Sequence, residues 1–260
     1  MNLDLSGKTA LVCGSTQGIG KAIAMELASM GANIVLMARN EGKLQQVMAE
    51  LPNNNQTHAH LAADFSDPSQ VKEVIDGFVK NNDIHVLINN TGGPAGGQAI
   101  EADIDAFRQA FNSHLICNQI LTQAVVPGMK KAGFGRIVNV ISTSVKMPLK
   151  GLGVSNTIRG AVANWSKTLA TELAEFGITV NNVLPGATST ARLESIIENK
   201  AKKLGKEEAA ISDEMLSEIP AKRFGKPEEV ANAAAFLCSP AAAYINGINI
   251  PVDGGRTGCL

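Results

Sequence analysis

Aromatic side chains are scarce: one Trp, one Tyr and eight Phe in 260 residues. The core must therefore be aliphatic, and any tyrosine chemistry would rest on Tyr244 alone. Cysteine is sparse too. Cys13, Cys117, Cys238 and Cys259 show no CxxC spacing, which argues against a disulfide framework and fits reduced thiols in a cytosol. Neither sign of charge predominates, since 23 Lys and Arg face 24 Asp and Glu. That balance offers no field for nucleic acid or an anionic membrane. No apolar run reaches the roughly 18 residues of a spanning helix. Asp4 and Lys8 interrupt the stretch where a signal peptide would be apolar. A cytoplasmic chain without nucleic-acid or membrane partners is expected.

What is present is alternation. Short aliphatic runs at 8–13, 33–38, 57–62, 85–89, 136–141, 178–184 and 248–252 read as strands. Several are apolar on both faces, as strands of a parallel sheet covered on each side must be. Helical periodicity marks about 18–30, 41–50, 67–81, 103–131 (broken), 155–176 and 227–237. The pattern predicts one α/β domain over residues 1–260, a doubly wound parallel sheet of about seven strands with helices on both faces. Residues 192–229 carry 17 of the chain's 47 charged side chains and no obvious strand. They predict a charged helical insertion at about 190–226, read either as a solvated excursion or as a lid over a crevice at the strand C-termini.

The first strand runs into CGSTQGIG, with Gly14, Gly18 and Gly20 spaced G-x3-G-x-G. At a strand–helix junction such glycines turn the chain, admit a pyrophosphate and pack helix against strand. The N–H groups around Ser15, Gln17 and Ile19 would then face the phosphates at a helix N-terminus. The alternative is a turn needed only for folding. Strand two ends MARN, with Arg39 following Ala38 and no carboxylate before Glu41. An acid there would bond a ribose 2′-hydroxyl, whereas Arg accommodates a 2′-phosphate. NADP(H) is therefore expected over NAD(H), unless Arg39 is merely solvated.

Other candidates are weaker. His58 and His60 stand two apart on a strand without a third ligand, so no metal site is expected. TGGPAGGQ (91–98) reads as a mobile loop at the cofactor's edge. The helix over 155–176 opens on Ser155 and Arg159, neighbours at a four-residue spacing. Ser155 is open to reading as a helix N-cap or as a member of a proton relay, and Arg159 as a ribose clamp or as one half of a surface ion pair.

These segments resemble, in order and over nearly the whole chain, the short-chain dehydrogenase/reductase family with its Rossmann fold. CGSTQGIG is similar to its glycine motif and AADFSD, with Asp64, to its adenine-side strand end. NNTGG, with Asn89 and Gly92, resembles the strand-four motif. GRIVNVIS resembles strand five ending on a catalytic Ser, here Ser142. NNVLPGATST, with Pro185, Gly186 and Thr188, resembles the segment that meets nicotinamide, and INIPVDGG the last strand. Within the family the chain looks most like 3-oxoacyl-(acyl-carrier-protein) reductases.

The resemblance implies hydride transfer between NADP(H) and a carbonyl or alcohol, on a small ketone or an acyl thioester. It also implies a homo-oligomer, a dimer or homotetramer built through helices 103–131 and 155–176. Lys130, Lys131 and Arg136 would be a docking group for an acidic carrier protein, or else a solvated helix end. The family's catalytic set is Ser, Tyr, Lys and Asn. Here Ser142 matches, Ser155 falls at the Tyr position, Arg159 at the Lys position and His114 at the Asn position, and no Tyr-xxx-Lys occurs.

A phenol titrates near about 10 and an alkyl hydroxyl is a far weaker acid, so Ser155 does not replace it directly. Two readings follow. In one, Ser142 and Ser144 hold the carbonyl, Arg159 clamps the nicotinamide ribose, and His114 feeds a water in the phenol's place. In the other, the chain is an inert NADP(H)-binding scaffold, sensor or pseudoenzyme partner.

Overall fold

The computed structural model describes residues 1–259. Its strands are β1 Thr9–Cys13, β2 Asn33–Ala38, β3 Ala59–Ala62, β4 Val86–Asn89, β5 Gly135–Val140, β6 Ile178–Pro185 and β7 Asn249–Val252. They form one parallel sheet in the order β3-β2-β1-β4-β5-β6-β7. Strand order reverses between β1 and β4, and the crevice of such a sheet opens there, beyond the strand C-termini.

The alternation of each strand supplies two aliphatic layers. Ala10, Val12, Ile34, Leu36, Val86 and Ile88 pack on α1 (Gly18–Ser29), α2 (Glu41–Glu50) and α9 (Pro227–Cys238). Leu11, Cys13, Val35, Met37 and Leu87 pack on α3 (Pro68–Val79), α5 (Cys117–Ala132) and α6 (Gly153–Leu173). Each fully buried Leu or Ile contributes roughly 2 kcal/mol. Burial pushes the thiols of Cys117 and Cys238 up to about 12 and that of Cys13 higher still, so all three are inert packing groups.

Local chemistry sets the helix ends. Asn40 accepts from Lys43 N–H at 2.9 Å and starts α2, and Asp67 accepts from Ser69 and Gln70 to start α3 ahead of Pro68. The expected break in 103–131 is a π turn, Asn112–Ile116, between α4 (Ile104–Phe111) and α5. The helix expected from 155 begins two residues earlier, at Gly153, with Leu152 at its cap. Ser155 therefore lies inside the first turn, and the N-cap reading is overturned.

The charged insertion folds as a hairpin of α7 (Ala191–Leu204) and α8 (Glu208–Ser217). Thr190 caps α7, and Gly205, at φ +62°, ends it. Leu193, Ile197, Ala201 and Ile211 form a small core against Ala187 and Phe224, at the C-terminal end of β6. Lys200 and Lys206 both meet Glu214 across the hairpin, so much of its charge is paired at the surface. No helix among the described residues is long and apolar enough to cross a membrane.

Candidate active site

The glycine turn is compact for a steric reason. A Cβ on Gly14 would lie 2.5 Å from the Asn90 carbonyl oxygen, and one on Gly20 only 2.2 Å from that of Gly14. Gly14 also sits at φ +58°. Asn90 Nδ2 donates to the carbonyls of Cys13 and Gly14 at 3.2 Å, binding the end of β4 to the turn. Ser15 is fully buried, and its Oγ accepts from Met37 N–H at 3.1 Å, tying the turn to β2. Gln17 and Ile19 stand at the start of α1, with Gln17 exposed and in extended backbone.

Beyond β2 and β3, Arg39 and Asp64 line one cleft of about 390 Å³ with Asn40, Ala62, Ala63 and Gln70. Arg39 is exposed and in no salt bridge among the described residues. The Ser66 backbone N–H, 2.9 Å away, holds Asp64 below the usual carboxylate range, with the Ser66 hydroxyl and the Arg39 charge adding to it. Glu41 lies 3.5 Å from His60. A free guanidinium at this strand end fits a ribose phosphate. A larger hollow, about 680 Å³, lies at the opposite edge beside Asp4, Gly31 and Asn54, away from these residues.

Asn89 has a different position from the one its motif suggests. Its Nδ2 donates to Asn139 Oδ1 at 2.8 Å, Asn139 to Asn182 Oδ1 at 2.9 Å, and Asn182 to Asn249 Oδ1 at 2.8 Å. The four residues are register partners on β4, β5, β6 and β7. This amide ladder crosses half the sheet inside the protein, leaving the buried Asn89 Oδ1 without a partner. Sequence reading missed it. An Asn in the C-terminal half of three strands, and at the start of the fourth, was the signal available.

Ser142, His114 and Arg159 gather beyond the ends of β4 and β5. Ser142 Oγ accepts from Ser144 N–H at 3.1 Å, which leaves its own proton free, while Ser144 Oγ is buried without a partner. His114, on the π turn, is 2% exposed and its Nδ1 lies 2.5 Å from Thr91 Oγ1. Burial, then the charge of Arg159, pushes its pKa down to about 3, against a weaker opposing hydrogen bond to the Gly92 backbone. The imidazole is therefore neutral at neutral pH.

Arg159 is 8% exposed and donates from Nη1 to Val140 O at 3.2 Å and from Nη2 to Thr91 O at 3.5 Å. No carboxylate pairs with it among the described residues, so the surface ion pair is overturned as well. Ser155, one turn earlier, is partly buried, and its hydroxyl has no partner among the described residues.

On the nicotinamide side of the motif order, Gly92 faces open space. Pro185 ends β6, Gly186 packs against Asp253, and Thr188 Oγ1 donates to Gly186 O at 3.2 Å. His58 accepts from Ile34 N–H at 3.1 Å and its other ring nitrogen lies 3.0 Å from Pro52 O, so both are engaged. The basic group of Lys130, Lys131 and Arg136 is not a continuous patch. Arg136 is buried against the carbonyls of Gly135, Gly177 and Ser239, Lys130 lies over the Phe176 ring, and Lys131 is near Asp83.

Residues 14–257 match the family model described as Enoyl-(Acyl carrier protein) reductase. The 3-oxoacyl-(acyl-carrier-protein) reductase FabG of Vibrio cholerae is 33% identical over 254 residues, covering 97% of this chain and 98% of that protein. NADPH-dependent reductase BacG of Bacillus subtilis is 32% identical, covering 96% of this chain and 98% of its own. Among solved structures, L-sorbose reductase from Gluconobacter frateurii, complexed with NADPH and L-sorbose, matches with a TM-score of 0.93 and 32% identity over 100% of both chains. A match of this extent, joined to the seven-stranded doubly wound sheet and its glycine turn, makes the chain a member of the short-chain dehydrogenase/reductase family.

Proposed function

We propose that this protein is an NADP(H)-dependent oxidoreductase acting on a carbonyl or alcohol of a small molecule or acyl thioester. One observation carries the reading: the glycine turn, the uncommitted Arg39 and the polar group Ser142–His114–Arg159 all open on the same sheet edge. NADPH, when bound, supplies the hydride. The Gly14–Gly20 turn and the α1 N-terminus would hold the diphosphate, Arg39 the 2′-phosphate and Asp64 the adenosine side. Gly92, Pro185, Gly186 and Thr188 would border the nicotinamide.

The proton route departs from the family pattern at Ser155, Arg159 and His114. Ser142 holds the substrate oxygen with the proton its hydroxyl has not committed. Ser155 holds a water where the family has a phenol; that water delivers a proton to the developing alkoxide and is itself reprotonated from bulk solvent. His114 is a positioning residue. Neutral and bonded to Thr91, it fixes the loop after β4 and donates no proton of its own. The α7–α8 hairpin closes over the substrate side as a lid, and the assembly is a homo-oligomer joined through α4, α5 and α6, where Ile104 and Phe111 of α4 are exposed and Ile100 stands exposed in the turn before it.

The same neutral imidazole favours a second reading, an NADP(H)-binding scaffold without turnover. Tyr244, the chain's tyrosine, is fully exposed outside the crevice and restores nothing. Calorimetry with NADPH and NADH, followed by NADPH absorbance on a panel of ketones and 3-oxoacyl thioesters, separates the two. Turnover with at least one class is expected. Binding of NADPH without turnover on any substrate would establish the scaffold, and no binding of either cofactor would end both.

A further inference from the structure

Arg159 and Arg192 come from different parts of the fold and converge on Gly93. A Cβ built on that glycine would stand 3.6 Å from Arg192 Nη2 and 3.8 Å from Arg159 Nη2. Arg192 reaches across from the first turn of α7 and donates to Pro94 O at 2.6 Å. Arg159 comes up beneath from α6 and donates to Thr91 O. The two guanidiniums thus bracket a space of about one methyl group in the loop after β4.

The pair has no counter-charge. Neither arginine forms a salt bridge among the described residues, and His114, packed beside Arg159, is neutral. Arg159 is more than nine-tenths buried and has only backbone carbonyls as partners. An unpaired buried charge is expensive, and a like charge close by adds to the cost. The pKa of Arg159 reports that cost, pushed down to about 10 by burial and then by Arg192. A guanidinium has five N–H donors, and two nitrogens of Arg159 are engaged, so donors remain toward Gly93. One planar carboxylate accepting charge-assisted bonds of about 2.7–2.9 Å from each arginine would supply the missing charge.

We infer that Arg159 and Arg192 form an anion subsite over Gly93 that binds the carboxylate of an oxo-acid or hydroxy-acid substrate. The inference deepens the oxidoreductase reading and rests on it for the identity of the reacting group. The cofactor diphosphate is the other source of an oxyanion in this crevice. The glycine turn and the α1 N-terminus would serve it, and Thr190, the cap of α7, lies against Gly18 of that turn, so the NADPH arm of the test distinguishes the two. Arg192 instead sits on the hairpin that borders the substrate side.

The test is binding rather than turnover, so that it survives an inert protein. Short 2-, 3- and 4-oxo acids and their methyl esters are titrated into the full chain, with and without saturating NADPH, by calorimetry. At least one acid binds tenfold or more tighter than its ester. Arg192→Gln and Gly93→Ala each reduce that acid to the ester's level without changing NADPH affinity. Gly93 is not at positive φ, and a Cβ there would make only ordinary van der Waals contact with the two guanidiniums, so the added methyl fills the subsite without straining the fold. Circular dichroism and thermal melting check that both variants fold.

Equal binding of acids and esters overturns the inference, as does failure of every acid to bind. Parallel loss of NADPH affinity in Arg192→Gln overturns it in favour of the diphosphate. Acid-selective binding without any NADPH binding upholds the subsite and sinks the cofactor reading instead.

Discussion

Thr91 Oγ1 and His114 Nδ1 lie 2.5 Å apart, joining the loop after β4 to the π turn that precedes α5. The imidazole is held neutral there by burial and by the positive charge of Arg159. The arrangement converts a residue that looks suited to acid–base work into a fixed strut, and it has a consequence for stability against pH.

In the unfolded chain an exposed His titrates near 6.5, and in the fold His114 titrates at about 3. Between those values the unfolded state binds more protons, so stability rises with pH through this window. The contribution is complete above pH 6.5 and is lost as pH falls toward 3, on the order of 3 kcal/mol by pH 4. His85, whose pKa is lowered by burial and then by Lys8, acts in the same direction. The diagnostic is therefore the variant. In urea denaturation from pH 4.5 to 7.5, His114→Gln is less stable than the parent at pH 7.5 and has a flatter dependence on pH. A parallel dependence would mean that His114 titrates normally.

Arg39 is the residue expected to separate the two cofactors. Its guanidinium is exposed and unpaired on the cleft it shares with Asp64. Hydrogen bonds to charged groups are worth about 1.5–3 kcal/mol. Arg39→Ala should therefore weaken NADPH roughly 10- to 100-fold and leave NADH within about twofold. Fluorescence titration with both reduced cofactors checks it, and an equal effect on the two would place the 2′-phosphate elsewhere.

Asn139 is the middle of the amide ladder and is fully buried. It accepts from Asn89 and donates to Asn182 and to Ser166 Oγ, the last at 3.2 Å. Leucine in its place would strand those buried partners at once. Unsatisfied buried polar groups cost about 1–3 kcal/mol each, so Asn139→Leu should lose about 3–5 kcal/mol in chemical denaturation. A loss below about 1 kcal/mol would show that the ladder is dispensable.

The ladder also marks where sequence reading stops. All seven strands lay close to their hydrophobic runs because a strand covered on both faces needs continuous aliphatic sequence, and the glycine turn declared itself by spacing. Register does not declare itself in that way. That Asn89, Asn139, Asn182 and Asn249 align follows from how four strands pair, which no local window contains. The neutrality of His114 likewise depends on Arg159, 45 positions away in sequence. The start of α6 was misplaced because Ser155 is a good cap by composition, while the chain enters the helix at Gly153, whose Cβ would strike Ala99.

The absence of any Tyr-xxx-Lys from the sequence gives the sharpest test of the proposed crevice. Ser155 is partly buried in the first turn of α6, its hydroxyl uncommitted, one turn before Arg159. A tyrosine there would place a phenol four residues before a cation, and a nearby positive charge favours the phenolate and makes the group a stronger acid. A compact ammonium suits that task better than a guanidinium already bonded to Val140 O and Thr91 O. Ser155→Tyr with Arg159→Lys should therefore raise NADPH-dependent reduction of uncharged ketones by about 10²-fold or more, the usual range for a positioned general acid. Ser155→Tyr alone should gain less. Adding Ser142→Ala to the double variant should remove most of the gain, because the substrate oxygen would lose the hydroxyl that holds it. If the double variant folds and binds NADPH yet reduces nothing faster, a missing acid is not what limits this crevice, and the scaffold reading gains.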